Sequence, residues 1–157
     1  MKQTIILGER VVASDPCYDY LGGFCRLITD VRSGTWNVSV NRRNCGIWGV
    51  RNTSLIIRHE DYPKAVFKDE FNGCGVDSGQ CGFYDYEYYL GHYKDNDWDD
   101  KNSWYRKVCD MTLGGKNWGV MDGVCVVSES GYGDGYYPLL IARNEEGQVV
   151  GMKLKFV

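Results

Sequence analysis

Three short strings place a carboxylate among turn-forming residues: Ser14-Asp15-Pro16-Cys17-Tyr18, Val76-Asp77-Ser78-Gly79-Gln80 and Ser130-Gly131-Tyr132-Gly133-Asp134-Gly135-Tyr136. Each reads first as an ordinary turn, because Asp bonds its own backbone two residues on and Gly supplies a positive φ. Each also abuts a strand-like segment, and loops on a rigid β scaffold are where binding residues gather. The expectation is that the three loops meet at one end of the fold and form one pocket for a small polar ligand. Asp15, Tyr18, Asp77, Ser78, Gln80, Ser130 and Asp134 are its candidate ligand-binding residues. Three carboxylates in one pocket would bind a cation or shift a pKa for acid/base work. A metal-dependent or acid/base hydrolase using Asp15, Asp77 and Asp134 is therefore the alternative to a non-enzymatic binding protein. If the carboxylates repel one another, Asp→Asn at one of them should stabilise the fold.

Other chemistry-bearing residues give weaker signals. Asp95-Asn96-Asp97-Trp98-Asp99-Asp100 begins like a calcium loop, but Asp100 stands where the sharp turn needs Gly and Arg106 where the bidentate Glu belongs. It reads as a solvated acidic loop. Gly131-x-Gly133-x-Gly135 lacks the spacing of a dinucleotide fingerprint and leads into a strand. His59 and His92 are the only histidines and are far apart, which disfavours a His-based metal site. Cys109 lies in a helical pattern with no base placed beside it, so it reads as a buried thiol. No residue is assigned as catalytic, and the cofactor and metal are left open. The absence of a nucleophile–base pair, metal-ligand spacing or nucleotide loop favours binding over catalysis.

The elements that must position these loops are mostly strands. Thr35–Asn41 alternates, with Trp36, Val38 and Val40 on one face. Phe24–Val31 reads as its hairpin partner through Arg32-Ser33-Gly34. Cys45–Val50, Ser54–His59, Phe71–Asp77 and Gln80–Asp85 read as further strands, followed later by Gly123–Ser128, Tyr137–Arg143 and Val149–Phe156. Pro138 lacks a backbone donor, which suits a strand start or an edge. One helix is expected over Trp104–Leu113, with Asn102 or Ser103 as N-cap and Gly114-Gly115 as its stop. The acidic run Asp95–Asp100 ahead of it suits the positive end of the helix dipole. The sum is a mainly β fold, α+β with one helix. It is built as two packed antiparallel sheets or a partly open barrel.

The 157 residues suit a single β-rich domain spanning 1–157. The net charge of −3 is unevenly spread, with 11 acidic against 6 basic residues over 61–110. No Lys/Arg stripe appears, so nucleic acid is not an expected partner. The first 13 residues hold only a three-residue apolar run, too short for a signal-peptide core, and no stretch approaches a membrane span. Seven cysteines, an odd number without C-x-x-C spacing, read as reduced thiols. These observations point to the cytoplasm and away from the membrane. The aromatic residues between 83 and 105 are dense enough to suggest exposed rings at an interface, which suits a homodimer.

Taken together, the strings resemble a family. Ser14-Asp15-Pro16-Cys17-Tyr18, Trp48-Gly49-Val50-Arg51, His59-Glu60-Asp61-Tyr62, Val76-Asp77-Ser78-Gly79-Gln80 and Ser130-Gly131-Tyr132-Gly133-Asp134-Gly135 occur in an order similar to that of small phage and bacterial proteins with a domain of unknown function. The likeness covers about residues 12–157. It supplies no activity. Its phage members imply an accessory protein acting in the bacterial cytoplasm, with an anti-defence role against a host protein as one such task.

Overall fold

A computed structural model describes residues 3–157. Among the described residues, eleven strands form two antiparallel sheets that do not close into a barrel. The first sheet has six strands: β1 (Gln3–Leu7), β4 (Gly34–Asn44), β5 (Val50–His59), β6 (Asp69–Val76), β10 (Gly135–Arg143) and β11 (Val149–Lys155). Their spatial order is β1-β4-β5-β11-β10-β6. The second has β2 (Val11–Ser14), β3 (Arg26–Ile28), β7 (Gln80–Asp85), β8 (Trp118–Met121) and β9 (Cys125–Glu129), in the order β3-β2-β7-β9-β8. Helix α1 (Tyr86–Leu90) and helix α2 (Trp104–Thr112) complete the fold. No described helix is long and apolar enough to cross a membrane.

The alternation of apolar residues dictates the layering. Ile5, Leu7, Trp36, Leu55, Ile57, Met152 and Leu154 point from the first sheet into a shared core with Val11, Ala13, Phe83 and Val126 of the second. Trp36 is fully buried, and its indole N–H donates to the Arg32 carbonyl at 3.0 Å, which satisfies its one polar atom. The opposite face of the second sheet carries Val12, Tyr84, Cys125 and Val127, and these bury against Tyr89, Tyr93, Trp104 and Val108 of the helical layer. This second core absorbs most of the aromatic residues between 83 and 105. Trp98 is the large ring of that stretch left mainly exposed. The exposed aromatic surface expected over that stretch is thus reduced to Trp98, with Tyr86, Tyr88 and Tyr105 half-buried.

Helix α2 begins where expected. The Ser103 hydroxyl accepts the Arg106 amide at 3.1 Å, and Asp95 accepts the Trp104 amide at 3.1 Å. Both satisfy free N–H groups of the first turn.

Three strand readings change. Phe24–Val31 is not the hairpin partner of β4; β3 pairs with β2, and β4 pairs with β1 and β5. The chain crosses between sheets after Ile28, through Asp30 at φ 57° and Gly34 at φ 131°. Cys45–Val50 is not a strand. It is mainly the tip of the β4–β5 hairpin, where Gly46 and Gly49 take positive φ around a 3-10 turn. Pro138 neither starts β10 nor lies at an edge; it sits at a register shift in the β6–β10 ladder, where a missing donor is tolerated.

Candidate functional site

The strand registers bring the three Asp-containing turns together. β7 lies in the middle of its sheet, and both of its ladders run toward its first residue. Ser14 of β2 pairs with Gly82, and Glu129 of β9 pairs with Gln80. One step beyond each ladder, Asp15 leaves β2 and Ser130 leaves β9, both beside the turn that precedes β7. In the other sheet Gly135 pairs with Val76, so Asp134 comes abreast of Asp77. The Asp77–Gly79 turn carries the chain from one sheet to the other, with Gly79 at φ 71°.

Hydrogen bonds lock this junction. Asp15 is fully buried and accepts four: from the amides of Cys17 (2.7 Å), Asp77 (2.8 Å) and Ser78 (2.6 Å), and from the Ser78 hydroxyl (2.6 Å). Asp134 accepts the Gly79 amide at 3.0 Å, and the Ser130 amide donates to the Gly79 carbonyl at 3.0 Å. Gln80 is buried, and its amide nitrogen donates to Ser78 Oγ (3.1 Å) and to Cys109 Sγ (3.3 Å), which ties α2 to the turn. The Ser130 hydroxyl donates to the Gly133 carbonyl within its own loop. The Tyr18 hydroxyl donates to Asp77 Oδ2 at 2.8 Å. Burial, then the Asp77 contact, pushes the Tyr18 phenol well above its ordinary pKa, so it remains a donor at neutral pH.

The seven expected site residues therefore divide by position. Tyr18, Asp77 and Asp134 line an open cleft of about 390 Å³. Asp15, Ser78, Gln80 and Ser130 sit behind it and hold its rim. Asp15 faces donors rather than other carboxylates, which reverses the expected sign of an Asp→Asn change there. Among the described residues, no group of three or more His, Cys, Asp or Glu side chains is arranged to hold a metal ion.

The structure adds residues that the sequence did not single out. Phe24 and Tyr136 also line the cleft. Both rings lie against the outer face of β6, where the side-chain-free positions are Gly73 and Gly75. A Cβ at Gly75 would come within 2.5 Å of the Phe24 ring, and one at Gly73 within 2.6 Å of the Tyr136 ring. The alternate spacing of these glycines, on one strand face, was the available signal. The Phe24 segment also covers the open edge of β6, accepting the Gly75 amide at 3.3 Å. Arg26 braces the same corner, donating to the Gly73 carbonyl (2.7 Å) and to the Tyr136 hydroxyl (3.2 Å).

A larger depression of about 650 Å³ lies at the opposite end of β10, among Glu9, Arg10, Asp30 and Glu146. It has no aromatic wall, and none of the seven expected residues reaches it.

Comparison with known families matches residues 50–154 to DUF4241, a protein family of unknown function. No curated protein and no solved structure matches the chain. The matched span contains Asp77, Ser78, Gln80, Ser130 and Asp134, while Asp15, Tyr18 and Phe24 precede it.

Proposed function

The chain belongs to the DUF4241 family, and from the geometry of its junction we propose that it is a non-enzymatic binding protein whose ligand sits in the cleft beside Tyr18, Asp77 and Asp134. The carrying observation is the locked meeting of the three turns. A buried Asp15 with four donors fixes the Asp77–Ser78 turn, and that turn presents the cleft carboxylate. Rigid presentation of a few polar groups beside apolar walls is what small-ligand sites share. The ligand is a small polar molecule, or a polar group of a host protein. A phage accessory or anti-defence role in the bacterial cytoplasm is proposed on the sequence resemblance alone.

The hydrolase alternative asks Asp15 to join Asp77 and Asp134 on a substrate or metal. It would have to give up four protein donors to do so, which weighs against it. Two measurements test the reading. Amide NMR with choline, glycerol and acetate as probes should move the Gly79 and Gly135 signals for at least one of them. A set that moves none of these signals overturns the binding site. Thermal melts with Mg²⁺, Mn²⁺ or Ca²⁺ should leave the midpoint unchanged. A clear rise in midpoint supports the metallohydrolase instead.

A further inference from the structure

We propose that the cleft selects an organic cation, an ammonium or guanidinium group carried on a small molecule; this rests on the reading of the cleft as a binding site. Its lining includes three aromatic rings, Tyr18, Phe24 and Tyr136, and two carboxylates, Asp77 and Asp134, and among the described residues no Lys, Arg or His. The rings form a continuous wall. Tyr18 and Phe24 have centroids 6.4 Å apart, and Phe24 and Tyr136 6.5 Å apart with planes at 71°. Phe24 is 49% exposed and Tyr136 57% exposed. Two rings held side by side and half in water leave apolar area that a ligand can cover. Their faces carry negative quadrupole potential, which attracts a cation.

The carboxylates complete the same preference. Asp77 accepts the Tyr18 hydroxyl through Oδ2, and Asp134 accepts the Gly79 amide through Oδ1. Among the described residues, none donates to the second oxygen of either group. Each can therefore accept an N–H of a ligand or balance a quaternary charge. An anionic ligand would meet two like charges. A bare divalent ion would find two carboxylates and aromatic carbon where it needs six or more oxygens. Two arginines flank this corner without lining the cleft: Arg51, which donates to the Gly131 carbonyl at 3.4 Å, and Arg26. Arg26 stands behind Tyr136, bonded to the Tyr136 hydroxyl and to the carbonyls of Gly23, Cys25 and Gly73.

The test is an amide NMR titration of the full chain with choline, putrescine, methylguanidinium and Nα-acetyl-arginine amide. The neutral isostere of choline, 3,3-dimethylbutanol, and acetate serve as controls. At least one cation should shift the Phe24, Gly79 and Gly135 amides saturably, and 3,3-dimethylbutanol should bind about five-fold more weakly or worse. Phe24→Leu keeps apolar bulk without the ring face and should weaken the cation by a similar factor while leaving the weak alcohol binding unchanged. Strong binding of the acetylated arginine with none by methylguanidinium would overturn the free small-molecule ligand in favour of a presented side chain. Equal or tighter binding of the alcohol or of acetate overturns the cation preference and leaves the cleft as a site. No shift with any compound overturns both. Phe24 is half exposed, so its variants should fold, which unchanged melts would verify.

Discussion

Asp15 and Ser78 are 63 residues apart in sequence, yet one carboxylate accepts both the amide and the hydroxyl of Ser78 at 2.6 Å. The contact closes the gap between the end of β2 in one sheet and the turn leaving β6 in the other. Asp15 is thus a fastener between sheets as well as a neighbour of the cleft. Asp15→Ala should destabilise the protein by roughly 2–4 kcal/mol, because buried donors are left without an acceptor. Asp15→Asn should also destabilise, since its NH₂ would face N–H groups. Urea unfolding gives the difference. A midpoint for Asp15→Asn at or above that of the parent chain would contradict the assignment.

Gly75→Ala probes the cleft without removing a polar group. The added methyl would meet the Phe24 ring at 2.5 Å, with Phe24 atoms as its closest neighbours. The ring must swing off β6. The expected result is a modest loss of stability, of order 1–3 kcal/mol as for overpacking, together with altered tyrosine and phenylalanine signals in near-ultraviolet circular dichroism. An unchanged spectrum and unchanged ligand response would show that the ring does not need the bare strand.

Cys45, at the exposed β4–β5 tip, should be the most reactive of the seven free thiols. The neighbouring Tyr132 hydroxyl favours its thiolate and lowers its pKa, outweighing partial burial, and the charges of Arg43 and Arg51 add to this. Burial raises Cys17, Cys25, Cys81, Cys109 and Cys125. A lowered pKa means more thiolate at neutral pH, so iodoacetamide should label Cys45 first. Its rate should reach half-maximum at a lower pH than that of an ordinary thiol. Tyr132→Phe removes the donor, so the profile should move to higher pH and the rate at pH 7 should fall. Peptide mapping by mass spectrometry follows both. Faster labelling of Cys17 would contradict the argument.

The sequence made the local periodicities legible. Trp36-x-Val38-x-Val40 announced β4, and Ser103 with Gly114-Gly115 bracketed α2 to within a residue at its C-terminal end. The convergence of the three Asp turns was also anticipated, because each turn ended or began a strand. What stayed hidden depended on register and layer. The partner of β3 is set by a crossing between sheets, which leaves no mark in alternation. The aromatic residues from 83 to 105 mix a strand and two helices, so no one period reveals that Tyr84, Tyr89 and Trp104 share a core. Gly46 and Gly49 take positive φ in the turn, but the apolar residues between and after them imitate a strand. Phe24 and Tyr136 come from segments 112 residues apart and meet only because β6 is bare between them.

That bare stretch of β6 separates two inheritances. The strand ladder there is specified by backbone pairing and by Cys74 and Val76 on the inner face, both buried in the core. The walls of the cleft are borrowed from Phe24 and Tyr136, whose rings face solvent and contribute little to that core. A lineage can therefore exchange the Phe24 ring by a single codon change and retune what the cleft admits, while the Tyr136 hydroxyl keeps its hold on the Gly73 amide and Arg26 and the scaffold that aligns Asp77 with Asp134 is passed on intact. Relatives with the same glycines and a different residue at the Phe24 position would be expected to share the fold and differ in ligand.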